Sequence, residues 1–173
     1  MKRLTLLRHA KSSWDDISLD DYERPLNPRG CRAAPEMGRR LSASADVPDL
    51  IISSPARRAI NTARMVAREM NYSEARIVEE RSLYHAGWGQ ILDIVNSLET
   101  LAGHVMICGH NPGLTDLANL LGNTRIDNMP TASVFCVDFE IGDWSQLKSD
   151  TGQFVFFDMP KNDRGRPFLT RQE

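Results

Sequence analysis

Residues 4–12 read Leu4-Thr5-Leu6-Leu7-Arg8-His9-Ala10-Lys11-Ser12, and the break inside this stretch decides the fold. The short, nearly continuous apolar run over 4–7 suits a strand buried on both faces, as in a parallel sheet covered by helices. Charge then arrives abruptly at Arg8-His9. The same layout recurs twice. Residues 49–53, Asp49-Leu50-Ile51-Ile52-Ser53, run into Ser54-Pro55 and then Arg57-Arg58. Residues 104–108, His104-Val105-Met106-Ile107-Cys108, run into Gly109-His110-Asn111-Pro112.

Helical patterns lie between these strands. A polar loop over residues 11–26 leads to Asn27-Pro28, an N-cap followed by a first helical position. The helix is predicted over 28–41, with Cys31, Ala34, Gly38 and Leu41 on its stripe, and Pro35 is expected to kink or divide it. Pro55 opens a second helix to about Met70, its apolar stripe being Ala59, Ala63, Val66 and Met70. A short strand over 76–78, a loop through Tyr84 and His85 and a helix over 89–101 follow. Asn111-Pro112 caps a last helix to about Leu121. Residues 132–139 and 153–157 are strands with no helix between them, so one edge is expected to be antiparallel. Strands alternating with helices imply an α/β fold, a three-layer α/β/α sandwich on a mainly parallel sheet. The length of 173 residues suits a single domain, 1–173, with a polar, basic tail from about Pro160 expected to be loosely held.

Composition narrows the partners. Apolar residues are 41% and charged residues 25%, ordinary for a globular protein, and the net charge of −2 gives no reason to expect nucleic acid or an anionic membrane. An anion site must therefore be local. Cys31, Cys108 and Cys136 have no C-x-x-C spacing, which favours a reduced, cytoplasmic protein. No stretch reaches the ~20 apolar residues needed to span a bilayer.

Ligands of open α/β sheets bind at the carboxyl ends of the strands. If the three strands are parallel, Arg8, His9, Arg58 and His110 face one crevice, where two helices also begin with free N–H groups. Two arginines and two histidines there suit a dianionic phosphoryl group. The paired arginines are separable by facing. Arg57, Asn61, Arg64 and Arg68 share the stripe opposite Ala59, Val66 and Met70, which is the solvated face, and Arg58 lies at its border nearer the strand end.

With these residues in place, Leu7-Arg8-His9-Ala10-Lys11-Ser12 resembles the Arg-His-Gly signature of the histidine phosphatase superfamily, also called phosphoglycerate mutase-like; Ala10 replaces the usual glycine. Ser53-Ser54-Pro55-Ala56-Arg57-Arg58-Ala59 with Thr62-Ala63 resembles its second motif, which again selects Arg58, and Gly109-His110 resembles the third. The chain's short length and Glu23-Arg24-Pro25-Leu26-Asn27-Pro28-Arg29-Gly30 resemble the compact SixA-type phosphohistidine phosphatases.

The resemblance implies that neutral His9 attacks phosphorus while Arg8 and Arg58 clamp the non-bridging oxygens and His110 donates to another. Ser12 and Arg24 are further candidates for binding phosphate, though Arg24 is equally a surface arginine paired with Asp20 or Asp21. Candidates for an acid are Glu80 and His85, beside Glu79, although strand-end carboxylates are commonly only solvated. The resemblance implies no metal and no other cofactor. It implies as substrate a phosphorylated protein (a histidine-phosphotransfer domain) or, as runner-up, a phosphorylated small molecule. A catalytically silent phosphate-binding module is the rival class, disfavoured because all four central positions are present.

Other chemistries are poorly served. A lone His9 would most simply be a packed core histidine, but Arg8 beside it and the matching Gly109-His110 argue against that. His104 begins a strand and reads as structural, and the histidine spacings show no zinc pattern. No cysteine has an arginine six positions on, and no P-loop appears. Asp15-Asp16 does not directly follow an apolar strand, which weakens an aspartyl-phosphate chemistry. Trp14, Trp88 and Trp144 read as packing or rim residues.

Overall fold

The computed structural model describes residues 1–44, 46–161 and 169–170. Among these, seven strands form one sheet: β1 (Lys2–Arg8), β2 (Leu50–Ser53), β3 (Val78–Glu79), β4 (His104–Gly109), β5 (Val134–Phe139), β6 (Gln153–Asp158) and β7 (Leu169–Thr170). Their order is β3-β2-β4-β1-β5-β6-β7. The first four run parallel, and β5, β6 and β7 each pair antiparallel with the preceding strand. Helices α1 (Pro28–Ala43) and α2 (Arg57–Glu69) cover one face, and α3 (Trp88–Asn96) and α4 (Gly113–Leu121) the other. The expected three-layer α/β sandwich with an antiparallel edge is therefore the fold.

Alternation along β1 feeds both cores. Leu4 and Leu6 pack with Val105, Ile107, Leu114 and Leu117 beneath α3 and α4. Leu7 packs with Ile51, Met106, Ala34, Ala59, Ala63 and Val66 beneath α1 and α2. Each fully buried Leu or Ile contributes about 1.5–3 kcal/mol by leaving water, so a slip of β1 by one residue would expose both cores at once.

Several local expectations need correction. α1 is not divided at Pro35 but continues as one helix to Ala43; burial of Ala34, Met37 and Gly38 holds it across the missing N–H. Cys31 is exposed, and Gly30 takes the buried place at that end. α3 stops at Asn96 instead of reaching 101, and Leu101 is fully exposed. β5 begins at Val134 because Ala132 takes a left-handed φ of 61° and turns its N–H to the carbonyls of Arg8 and His9. α2 begins at Arg57 and α4 at Gly113, each within a turn of a central strand's carboxyl end. Of the tail from Pro160, residues 162–168 and 171–173 lie outside the described residues, whereas Leu169–Thr170 adds a short strand to β6.

Candidate active site

Strand register builds the site. Arg8 of β1 pairs with Gly109 of β4, and Ser53 of β2 with Cys108. The residues that follow therefore leave the sheet side by side: the His9 N–H donates to the Gly109 carbonyl at 3.1 Å, and the Ser54 N–H to the Cys108 carbonyl at 2.9 Å. His9 and His110 end 5.1 Å apart between ring centroids. Arg58 joins them from the first turn of α2, buried, while neighbouring Arg57 is exposed, as the helical facing predicts. Thr62, one turn on, accepts from the Ala10 N–H at 2.9 Å and donates to the Arg58 carbonyl at 2.6 Å, tying the β1 loop to α2.

Two glycines are needed for close approach. A Cβ on Gly30 would meet the Lys11 carbonyl oxygen at 2.2 Å, so α1 can press on the loop after His9 only with glycine there. A Cβ on Gly113 would meet the Ala86 carbonyl oxygen at 2.1 Å, which lets the Tyr84–His85 segment sit against the start of α4.

The result is a cleft of about 260 Å³ holding Arg8, His9, Ser12, Arg24, Arg58, His85 and His110. Its lining carries four cations, Arg8, Lys11, Arg24 and Arg58, against one carboxylate, Asp21. The local field is thus positive in a chain whose net charge is −2.

His9 is 8% exposed. Its Nδ1 lies 2.8 Å from the Ala10 carbonyl, so Nδ1 carries the proton and the Nε2 lone pair is left bare. Burial pushes its pKa down to about 4, helped by Arg58, Arg8 and Arg24 and opposed by the Ala10 hydrogen bond. Burial likewise pushes His110 down to about 3, with His9 and Arg58 adding to it. Both rings are neutral at pH 7. The Ser54 hydroxyl accepts from the Ala56 N–H at 3.3 Å and meets His110 Nε2 at 2.8 Å. If the Ser54 hydroxyl donates that bond, His110 carries its own proton on Nδ1; if it accepts, Nδ1 is an acceptor. That Nδ1, Arg8 Nε and Arg58 Nε are buried without partners among the described residues. A buried donor left unpaired costs about 1–3 kcal/mol, so an acceptor that reached the two arginine Nε–H groups would be favoured.

Asp21 is the residue the sequence reading did not place in the site. Its carboxylate accepts from Arg58 Nη2 at 2.9 Å, Arg24 Nε at 3.0 Å and the Tyr84 hydroxyl at 2.8 Å, and lies 3.1 Å from His85 Nε2. Partial burial raises its pKa, but Tyr84, Arg58 and Arg24 together outweigh that and hold it well below the usual carboxylate range. The i,i+3 spacing of Asp21 and Arg24 was the available signal. Arg24 pairs with Asp21 as expected, but it is buried in the cleft and not on the surface: it donates to Ser12 Oγ at 2.8 Å and stacks on Trp14 at 3.5 Å. Lys11, Asn111 and Thr131 also line the cleft and were not singled out.

The two acid candidates separate. His85 lines the mouth, stacked on Tyr84 with centroids 4.1 Å apart. Glu80 does not line the cleft; its Oε1 accepts from the Ser82 N–H at 2.9 Å, which caps a 3₁₀ turn. Glu79 is exposed and paired with Arg64. Trp144 is fully buried in the core and Trp14 stands at the rim, while His104 meets Thr5 Oγ1 at the far end of the sheet. Among the described residues no cluster of His, Cys, Asp and Glu is arranged to hold a metal, and no helix is long and apolar enough to cross a membrane.

Comparison with known proteins bears on the family and the fold. The family model described as histidine phosphatase superfamily (branch 1) matches residues 4–100. An uncharacterized chloroplastic protein of Arabidopsis thaliana is 37% identical over 133 residues, 72% of this chain; the chain spans 61% of that protein's length. A crystal structure from Agrobacterium tumefaciens, provisionally described as a phosphohistidine phosphatase SixA, has a TM-score of 0.76 at 26% identity, covering 90% of this chain and 96% of that one. The protein histidine phosphatase SixA complexed with tungstate shares the fold at a TM-score of 0.76 and 21% identity, covering 91% and 97% of the two chains.

Proposed function

This chain belongs to branch 1 of the histidine phosphatase superfamily, and on that premise we propose that it is a cytoplasmic, single-domain, metal-independent phosphatase that removes phosphate from protein phosphohistidine. The observation that carries the chemistry is His9: buried, neutral, its Nδ1 committed to the Ala10 carbonyl and its Nε2 bare beside Arg8, Arg58 and His110. A neutral imidazole has the lone pair that in-line attack needs.

In the proposed reaction the His9 Nε2 lone pair forms a bond to phosphorus as the bond from phosphorus to the substrate's ring nitrogen breaks. Arg8 and Arg58 hold the non-bridging oxygens, and the His110 Nδ1–H donates where charge builds. Arg24 and Ser12 extend the cradle. The departing nitrogen needs a proton. Asp21 is kept ionised, which leaves His85 as the group at the mouth able to bring one. Water then attacks phosphorus, the His9–phosphorus bond breaks, and inorganic phosphate leaves. An imidazole leaves more readily than an alkoxide, so a mouth with no carboxylic acid in reach suits a phosphoramidate better than a phosphate monoester.

The test compares hydrolysis of a phosphorylated histidine-phosphotransfer domain with a panel of metabolite phosphates. The expected result is a kcat/KM on the phosphoprotein at least ten-fold above any metabolite. Strong activity on sugar phosphates with little on phosphohistidine would instead favour the small-molecule phosphomonoesterase. No hydrolysis of either, nor of an activated aryl phosphate, would leave the silent binding module.

A further inference from the structure

A second hollow of about 240 Å³ adjoins the phosphoryl cleft, and Lys11 and Thr131 line both. Arg29, from the first turn of α1, and Lys161, from the segment after β6, complete its cationic rim. Ala33, Pro130 and Met159 supply apolar surface between them. No carboxylate is among its lining residues, and no ion pair to Lys11, Arg29 or Lys161 is formed among the described residues. Three cations from three separate elements thus line one hollow with no counter-charge among the described residues, one wall away from the cleft.

We propose that this annex is a second subsite, which takes a carboxylate carried on a short aliphatic stem by the phosphorylated substrate itself. The stem lies on Ala33, Pro130 and Met159 while the carboxylate meets Arg29, Lys161 and Lys11. The inference rests on the phosphatase reading, since the shared Lys11–Thr131 wall ties the subsite to the phosphoryl cleft. Two sources have this chemistry: a glutamate or aspartate flanking the phosphohistidine of a protein, and the acid group of a small phosphorylated carboxylic acid.

Binding without turnover tests the subsite first. The ligands are α,ω-phosphonocarboxylates of increasing chain length against alkylphosphonates of equal length. Calorimetry is run on the wild-type chain and on the Arg29→Gln/Lys161→Gln double variant, whose substituted residues line only the annex. At the best length the carboxylate should tighten binding to wild type by about three- to ten-fold, the scale of two exposed ion contacts. The gain should vanish in the variant and fade in high salt, with methylphosphonate binding unchanged. Equal affinities for the two series at every length in wild type would overturn the subsite. The second arm measures hydrolysis of phosphohistidine peptides with glutamate or glutamine as neighbour. A glutamate preference that the double variant loses supports the subsite and names a protein as the source of the carboxylate. A preference confined to the phosphonates supports it with a small acid as the source. Failure of wild type to hydrolyse phosphoramidate and every phosphohistidine peptide refutes the phosphatase reading alone, and the calorimetry still decides the subsite.

Discussion

The two ends of β1 each carry an arginine, and they treat it oppositely. At the amino end Arg3 grips Asp138 with two parallel bonds, Nε to Oδ1 at 2.6 Å and Nη2 to Oδ2 at 2.8 Å, and reaches Asp46 with Nη1 at 2.8 Å. Asp138 comes first in holding its guanidinium firmly protonated, against the cost of burial. At the carboxyl end Arg8 sends Nη1 to the Met129 carbonyl and leaves Nε buried and unpartnered; burial pulls its pKa down with no carboxylate to oppose it. The amino end is a set of paired charges that stitches β1 to β5, with one acceptor oxygen, Asp46 Oδ2, left buried without a partner among the described residues. The carboxyl end is an open set, held in place by backbone carbonyls and by Asp21, with donors left over. Closed charge networks serve stability, whereas uncompensated ones mark sites that await a ligand.

Substitutions at the two ends should therefore separate activity from stability. Among the arginines, the largest effect is expected for Arg58→Ala, which removes a proposed clamp on the transferring group: kcat on phosphohistidine should fall by about 10²–10³-fold, with a denaturation midpoint close to wild type. A comparable loss of stability with little loss of kcat would reverse the roles assigned to the two ends.

Acid should weaken the carboxyl end next. His9 and His110 have pKa values depressed from 6.5 to about 4 and about 3. Between those values and 6.5 the unfolded chain binds more protons than the folded one, so stability falls as pH drops through that window and rises again toward neutrality. The combined loss should be a few kcal/mol at the acid end of the window. Urea denaturation at a series of pH values measures it, and a His9→Asn variant should flatten the slope. An unchanged slope in that variant would mean that His9 is not held neutral by burial.

Arg3→Ala tests the amino end. It strips Asp46, 4% exposed, of its ion pair and should cost about 2 kcal/mol once the one-third exposure of Arg3 is allowed for. The kcat should stay within about two-fold of wild type, since nothing at that end can touch substrate. The smallest effect belongs to Asp21→Asn, which keeps the shape but releases Arg24, Arg58 and His85. A drop of about ten-fold in kcat/KM is expected. A kcat/KM equal to wild type would reduce Asp21 to a surface ion pair.

The same contrast explains what the chain revealed before it was folded. The apolar runs of β1, β2 and β4 stand out because each strand is buried on both faces, and their abrupt polar ends locate the crevice. Arg58 could be told from Arg57 because a helix fixes which residues share a face. Asp21 was invisible by that route: it sits on a 3₁₀ turn in a polar loop, and its meeting with Tyr84, 63 residues on, depends on how two loops fold over the cleft. Lys11, Asn111 and Thr131 come from loops for the same reason. Pro35 does not divide α1, because propensity counts the lost hydrogen bond and not the burial of Ala34, Met37 and Gly38 around it. Glu80 misled because nearness in sequence to the Tyr84–His85 loop did not bring its carboxylate to the mouth.

Whether His9 carries the phosphoryl group is decided by trapping it. Wild-type protein mixed with excess phosphoramidate and quenched in alkali within a turnover should yield one labile phosphoryl group, located on His9 by peptide mass spectrometry. The His9→Ala protein should carry none and should have lost at least about 10⁴-fold in rate. A phosphoryl group on another residue, or a His9→Ala protein that still turns over, would show that the open end of β1 binds phosphate without attacking it.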